Sequence, residues 1–151
     1  MAIKAFRSSI LHFKEDAQAE YFDDGILLVD SETGTVQEVA DAKDLSSELT
    51  AKLDGVEITT YENKIIMPGF IDTHIHYPQV DVIASYGEQL LDWLNNYTFP
   101  TELQFKDPEF ARETADFFLN ELIKNGTTTA LVFGTVFKES VDAFFEASSK
   151  L

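Results

Sequence analysis

The sequence predicts a mixed α/β protein in which a small β-rich unit precedes the start of an alternating β/α fold. Residues 1–66 contain short runs of β-branched and apolar residues that are separated by turn-forming residues. After Ile65 the pattern changes to strand, helix, strand, helix. Such alternation is typical of a parallel sheet whose strands are joined by right-handed helical crossovers. We therefore predict two domains, residues 1–66 and residues 67–151.

Within the first domain, the segments "GILLVD" and "TVQEVA" predict two strands. They are joined by "SETG", in which Ser31 and Gly34 suit a tight turn, so an antiparallel hairpin is predicted from Gly25 to Ala40. The following "DLSSELTAKLDG" has leucines at a spacing of four, which predicts a short amphipathic helix. Asp44 is its predicted N-cap and Gly55 its predicted end. "VEITTYEN" then predicts a further strand.

In the second domain, "IIMPGFIDTHIH" predicts a strand and "DPEFARETADFFLNELIKNG" a long helix. Asp107 is the predicted N-cap of this helix, Pro108 its first residue, and Gly126 closes it. "TTTALVFGT" and "ESVDAFFEASSKL" predict the next strand and helix. One face of the long helix is predicted to lie on the sheet, and it comprises Phe110, Thr114, Phe117, Phe118 and Leu122.

The connection between Tyr77 and Lys106 is much longer than the usual βα loop of about 2 to 6 residues. It contains a segment with helical character, "EQLLDWLN". Loops of this size usually cover a binding or catalytic site. The connection therefore indicates a site at the end of the strand that precedes it.

Composition narrows the possible partners. The formal net charge of −16 repels phosphate backbones and anionic lipids, so neither a nucleic acid nor a membrane is expected as a partner. The chain has no cysteine, so any metal must be held by His, Asp or Glu. The opening "MAIKAFRSSILHF" lacks the apolar run of a signal peptide, and no segment has the length of a membrane span. A cytoplasmic location is the expectation.

Two of the three histidines, His74 and His76, stand one residue apart at the end of the predicted strand. Residues i and i+2 of a strand share a face, with Cβ atoms roughly 6 to 7 Å apart. Two Zn–N bonds of roughly 2.0 to 2.1 Å can meet at one ion between such rings. An apolar outer face and an inward histidine pair also suit a barrel strand, whose C-terminal end carries the active site.

Other interpretations of these residues stay open. The histidine pair would also be satisfied as two buried, hydrogen-bonded side chains without a metal. Asp72 lies on the same face and either orients an imidazole or pairs with a group at the base of the fold. His12 has no histidine or acidic pair at ligand spacing, and we interpret it as an ordinary strand residue.

The segment "IIMPGFIDTHIH" resembles the first barrel strand of the amidohydrolase superfamily. The narrower segments "HIHYPQ", "YGEQLLDWLNNYTFPTE" and "NGTTTALVFGT" resemble its guanine-deaminating branch. The resemblance implies the start of a (β/α)8 TIM barrel in residues 67–151. It also implies that residues 1–66 are the N-terminal part of a small β-sandwich domain.

For function, the resemblance implies a Zn²⁺ held in part by His74 and His76, and a substrate contacted by His76 and Gln79. A zinc-bound water of lowered pKa would attack guanine, giving xanthine and ammonia. A carboxamide such as that of Gln79 offers both a donor and an acceptor to the purine edge. The other zinc deaminase design requires Pro-Cys-x-x-Cys, which a chain without cysteine cannot provide.

The barrel is incomplete in 151 residues, because a complete one needs roughly 250. We therefore expect an N-terminal fragment that is inactive alone and forms a homodimer when full length. Two alternatives remain. One is an aminohydrolase of the same superfamily acting on another purine, a pterin or a triazine, and the other is a truncated, non-catalytic interaction module.

Overall fold

The computed structural model describes residues 2–87 and 89–151 of the chain. These residues divide into two compact units, of which the first ends at Pro68 and the second is Gly69–Leu151. Both strands and helices are present, so the prediction of a mixed α/β protein is confirmed.

The first unit is built on a four-stranded sheet with the order β3-β2-β1-β4. Strands β1 and β2 and strands β2 and β3 pair antiparallel, whereas β1 and β4 pair parallel. The predicted hairpin is confirmed as β2 and β3, and Gly34 in its turn has a φ of +70°. The strands are β1 (Ile3–Phe13), β2 (Ala19–Asp30), β3 (Thr35–Asp41) and β4 (Ile58–Ile66).

A short helix, α1 (Ser47–Leu53), covers part of this sheet. Its N-cap is Ser46, whose Oγ accepts a hydrogen bond from the Leu49 backbone N–H at 3.1 Å. The prediction of Asp44 as the cap was wrong, because Asp44 belongs to a turn in which its N–H bonds the Asp41 carbonyl. Leu49 is buried against the sheet, and Gly55, with a φ of +73°, follows the end of the helix as predicted.

The second unit has the predicted order of strand, helix, strand, helix. The predicted strand "IIMPGFIDTHIH" is divided, because β4 ends at Ile66 and β5 begins only at Phe70. Pro68 has no N–H to give to a sheet ladder. Strands β5 and β6 lie parallel and form a two-stranded sheet. The elements are β5 (Phe70–His76), α4 (Pro108–Lys124), β6 (Thr127–Phe133) and α5 (Lys138–Ser148).

The long connection contains more helix than "EQLLDWLN" predicts. Of that segment, Glu88 lies outside the described residues and α2 covers Leu90–Trp93. A π-helical turn, Leu94–Thr98, continues it into α3 (Phe99–Glu102). Short 3-10 helices at Tyr77–Val82 and Leu103–Lys106 flank these elements.

Helix α4 begins and ends where its sequence predicts. Asp107 Oδ1 accepts from the Glu109 N–H at 2.9 Å, Pro108 is the first helical residue, and Gly126 has a φ of +85°. The predicted buried face was wrong at Phe117, which is 55% exposed. Small residues of α4 pack against α5 instead, and the alanines buried there are Ala111, Ala115, Ala143 and Ala147. Among the helices of the described residues, none is long and apolar enough to cross a membrane.

The centre of the second unit is aromatic. Phe105 is completely buried, and its ring meets that of Tyr77 edge-on at 5.3 Å and that of Phe110 at 5.1 Å. Such edge-to-face pairs add to the free energy gained by burial. Because Tyr77 directly follows β5, this core fixes the position of the end of that strand.

At the start of β5, Gly69 lies so close to β6 that no side chain fits. A Cβ atom there would lie 2.0 Å from Thr128 Oγ1 and 2.4 Å from Thr128 Cγ2. We expect Gly69→Ala to lower the free energy of unfolding by about 1–3 kcal/mol, the usual cost of overpacking. Urea unfolding of Gly69→Ala, of Thr128→Gly and of the double variant measures this loss. In a Thr128→Gly background the same change should cost much less, and an equal cost in both backgrounds would contradict this explanation.

Candidate metal centre

The two histidines of the predicted site converge at the end of β5. The Nε2 atoms of His74 and His76 are 3.1 Å apart, and the ring centroids are 5.1 Å apart. Two Zn–N bonds of about 2.0–2.1 Å at a tetrahedral ion separate their nitrogens by about 3.3 Å. The pair therefore fits a single zinc ion without a change of backbone.

A local irregularity of β5 brings His74 into this position. Asp72 pairs with Ala130 of β6 and Ile75 pairs with Val132, with a shift of register between them. Asp72 Oδ1 accepts a hydrogen bond from the His74 backbone N–H at 2.9 Å. The carboxylate thus holds the backbone of a candidate ligand, rather than an imidazole or a group at the base of the fold.

Phe133, the last residue of β6, supports both imidazoles and was missed by the sequence analysis. Its ring centroid lies 4.6 Å from that of His74 and 4.7 Å from that of His76, the latter nearly parallel at 13°. Phe133 is also the register partner of His76 across the parallel pair. The only signal in the sequence was an aromatic residue at the end of the next predicted strand. Packing on its face restricts the rotation of both rings.

Gln79 lies in the 3-10 turn after β5, beside the second histidine. Its Nε2 is 3.4 Å from His76 Nδ1 and donates to Glu102 Oε1 at 3.2 Å. The structure thus brings three residues of the implied site together, namely His74, His76 and Gln79. Glu102, at the end of α3, is the last residue of the segment "YGEQLLDWLNNYTFPTE", and the sequence did not predict it as a site residue.

Between His76 and Gln79, Tyr77 anchors the turn to the rest of the unit. It is 1% exposed, and its hydroxyl donates to the Ser140 carbonyl of α5 at 2.5 Å. Burial raises the pKa of Tyr77 to about 12. The neutral phenol is therefore the form that the folded chain favours.

This raised pKa predicts a loss of stability in alkali. In the unfolded chain this tyrosine ionises at about pH 10, which is below its pKa in the folded chain. The neutral phenol therefore contributes fully to the free energy of unfolding below pH 10, and this contribution is lost as the pH rises toward 12. At about 1.4 kcal/mol per pH unit, the loss is roughly 2–3 kcal/mol. Tyr77→Phe should lack this loss in urea unfolding between pH 9 and 11.5. The exposed Tyr21→Phe should follow the wild type, and an unchanged profile in Tyr77→Phe would contradict the assignment.

The remaining candidate ligands do not complete the site. In residues 2–87 and 89–151, no group of three or more His, Cys, Asp or Glu side chains is arranged to hold a metal ion. His12 lies on β1, where its Nε2 is 2.9 Å from Glu20 Oε2, and it is an ordinary strand residue as predicted. Within the described residues, the candidate metal ligands are therefore the two imidazoles of His74 and His76.

Guanine deaminases are among the known proteins that are similar to this chain. Guanine deaminase of Escherichia coli K12 is 48% identical over 87% of this chain and 29% of its own length. A structure of the E. coli enzyme has a TM-score of 0.86 at 43% identity, covering 97% of this chain and 35% of that one. A structure of the enzyme from C. acetobutylicum with bound guanine has a TM-score of 0.82 at 32% identity, with 99% and 34% covered.

These matches confirm the resemblance that the motifs indicated. The chain spans about a third of the length of the relatives it matches. The model of the amidohydrolase family matches residues 65–151, which is more than half of the chain. Because the family model covers more than half of the chain and guanine deaminases are similar to it, the chain belongs to the amidohydrolase family.

Proposed function

We propose that the full-length protein containing this chain is a zinc-dependent guanine deaminase, which hydrolyses guanine to xanthine and ammonia. The observation that carries the proposal is the convergence of His74 Nε2 and His76 Nε2 at the end of β5, with Gln79 beside them. The similarity to guanine deaminases over almost the whole chain supports guanine as the substrate.

In this proposal His74 and His76 hold the zinc through Nε2 as neutral imidazoles. When bound, the metal lowers the pKa of a coordinated water and so supplies hydroxide near neutral pH. The other residues of this chain position the ligands. Asp72 holds the backbone of His74, and the face of Phe133 limits the rotation of both rings.

Gln79 and His76 are the proposed substrate contacts. A carboxamide presents a donor and an acceptor in one plane, which matches the mixed hydrogen-bonding edge of guanine. Gln79 is partly buried and lies next to the candidate metal ligand His76. A purine bound there would lie beside the metal.

We further propose that residues 67–151 are the first two βα units of a (β/α)8 barrel, and residues 1–66 the N-terminal part of a small β-sandwich. The parallel pairing of β5 and β6 and the histidines at a C-terminal strand end support the barrel. Large apolar residues of this unit are also exposed, as expected of surfaces that further units cover. They include Leu131, Phe117 and Phe145.

The 151-residue chain alone should be inactive in this proposal. A catalytic zinc site normally has at least three protein ligands, and the described residues supply two. The full-length protein is proposed to be a cytoplasmic homodimer that acts on a small molecule. The net charge of −16 argues against nucleic acid and anionic membranes as partners.

The experiment is a substrate panel assayed with zinc-loaded full-length protein and with residues 1–151. Guanine, other aminopurines, pterins and triazines are compared by ammonia release and by kcat/KM. We expect guanine to have the highest kcat/KM and to yield xanthine and ammonia in equal amounts, and residues 1–151 to be inactive. A higher kcat/KM for another heterocycle would overturn the substrate assignment, and activity of residues 1–151 would overturn the proposal of an incomplete site.

A further inference from the structure

The hydrogen bonds of Gln79 determine which end of its amide is available to a ligand. A carboxylate oxygen only accepts hydrogen bonds, so the amide atom that lies 3.2 Å from Glu102 Oε1 must be the nitrogen. The carbonyl oxygen of Gln79 then has no hydrogen-bond partner among residues 2–87 and 89–151. The contact with Glu102 uses one of the two N–H groups of the amide and leaves its carbonyl oxygen free to accept a hydrogen bond at the site.

The second contact of the amide nitrogen, with His76 Nδ1, depends on where the imidazole carries its hydrogen. A neutral imidazole that offers Nε2 to a metal carries the hydrogen on Nδ1. A ring N–H cannot accept from an amide N–H. In that tautomer, Glu102 Oε1 is the acceptor that remains for the nitrogen of Gln79.

We propose that Glu102 is a positioning residue that fixes the amide of Gln79 so that its carbonyl oxygen accepts a hydrogen bond from an N–H group of the substrate. The inference rests on the proposed function, because it assigns an orientation to the substrate contact Gln79. It also defines a substrate class, namely heterocycles with a ring N–H or an exocyclic amino group on the edge that faces Gln79. Guanine carries such donors.

Side-chain replacements in the full-length protein test this role. Glu102→Leu removes the acceptor, and Gln79 can then rotate, so we expect KM to rise about tenfold while kcat stays within about threefold. Glu102→Gln keeps an oxygen that accepts from Gln79, and its KM should stay within about twofold of the wild type. Glu113→Leu, an exposed acidic position on α4, is the matched control and should leave KM unchanged.

A double-mutant cycle separates positioning from a merely structural effect. If Glu102 acts through Gln79, then KM of Gln79→Leu/Glu102→Leu should equal that of Gln79→Leu alone. Dissociation constants for the substrate, measured by calorimetry on zinc-stripped protein, should show the same pattern without turnover. An unchanged KM in Glu102→Leu, or independent multiplication of the two effects, would overturn the inference.

The variants are assayed on whichever heterocycle of the panel has the highest kcat/KM with the wild type. The result for Glu102 therefore does not require that compound to be guanine. A different best substrate with an intact Glu102 effect would overturn the substrate assignment and support the positioning role. Deamination of guanine without an effect of Glu102→Leu would support the substrate assignment and overturn the positioning role. A protein that deaminates no compound of the panel would overturn both the substrate assignment and the positioning role.

Discussion

Full-length protein in which His74 or His76 is replaced by Ala is expected to lose its zinc and its deaminase activity together. Each replacement removes one of the two nitrogen atoms that we propose as zinc ligands. Replacing residues that merely orient a ligand already costs about 10–100-fold in metal affinity or activity. We therefore expect losses of more than about 100-fold, measured as zinc content after dialysis and as kcat/KM.

The third histidine provides the control for this experiment. His12 lies on β1 and pairs with Glu20, and it belongs to no group of three or more candidate ligands in the described residues. His12→Ala should keep the zinc content and kcat/KM of the wild type. Full zinc content in His74→Ala, or equal losses in all three variants, would contradict the assignment of the pair as ligands.

Replacement of Phe105 by Ala is expected to produce the largest loss of stability. Phe105 is fully buried in the second unit, where its ring packs edge-on against Tyr77 and Phe110. Truncation of a buried Phe to Ala usually costs about 3–5 kcal/mol, since it removes apolar contacts and leaves a cavity. The midpoint and slope of urea unfolding measure the change.

Phe105→Leu is the matched control, because it keeps most of the apolar volume. Its cost should be below about 1.5 kcal/mol. Hydrogen exchange of β5 adds a second reading, since the same core holds Tyr77 directly after this strand. Equal costs for the Ala and Leu variants would show that the cavity is not the cause.

Local chemistry was sufficient to predict where α4 begins and ends. Asp107, Pro108 and Gly126 delimit α4 through a cap, a fixed φ and a left-handed turn, and each of these acts within a few residues. The face of the helix was less predictable. Periodicity showed where apolar residues recur, but it did not show that alanines would face α5 and leave Phe117 exposed.

Residue type alone did not determine the cap of α1. Asp44 and Ser46 are both residues that cap helices well, and the sequence alone does not rank them in this segment. The turn that bonds Asp44 to Asp41 determines the choice, because it makes Ser46 the residue at the helix entrance.

Strand periodicity was sufficient to predict only part of the candidate site. The two-residue repeat of a strand placed His74 and His76 on one face, and the family resemblance implied Gln79. Phe133 and Glu102 could not be found this way, because they reach the histidines and Gln79 from the next strand and from the long connection. Contacts between residues so far apart in sequence depend on the folded chain.

A crystal structure of the zinc-loaded full-length protein, with anomalous data at the zinc edge, tests the central claim most directly. We predict one anomalous peak at about 2.0–2.1 Å from both His74 Nε2 and His76 Nε2. Zinc bound elsewhere, or a peak bonded to neither imidazole, would contradict the claim that this histidine pair is part of the metal centre.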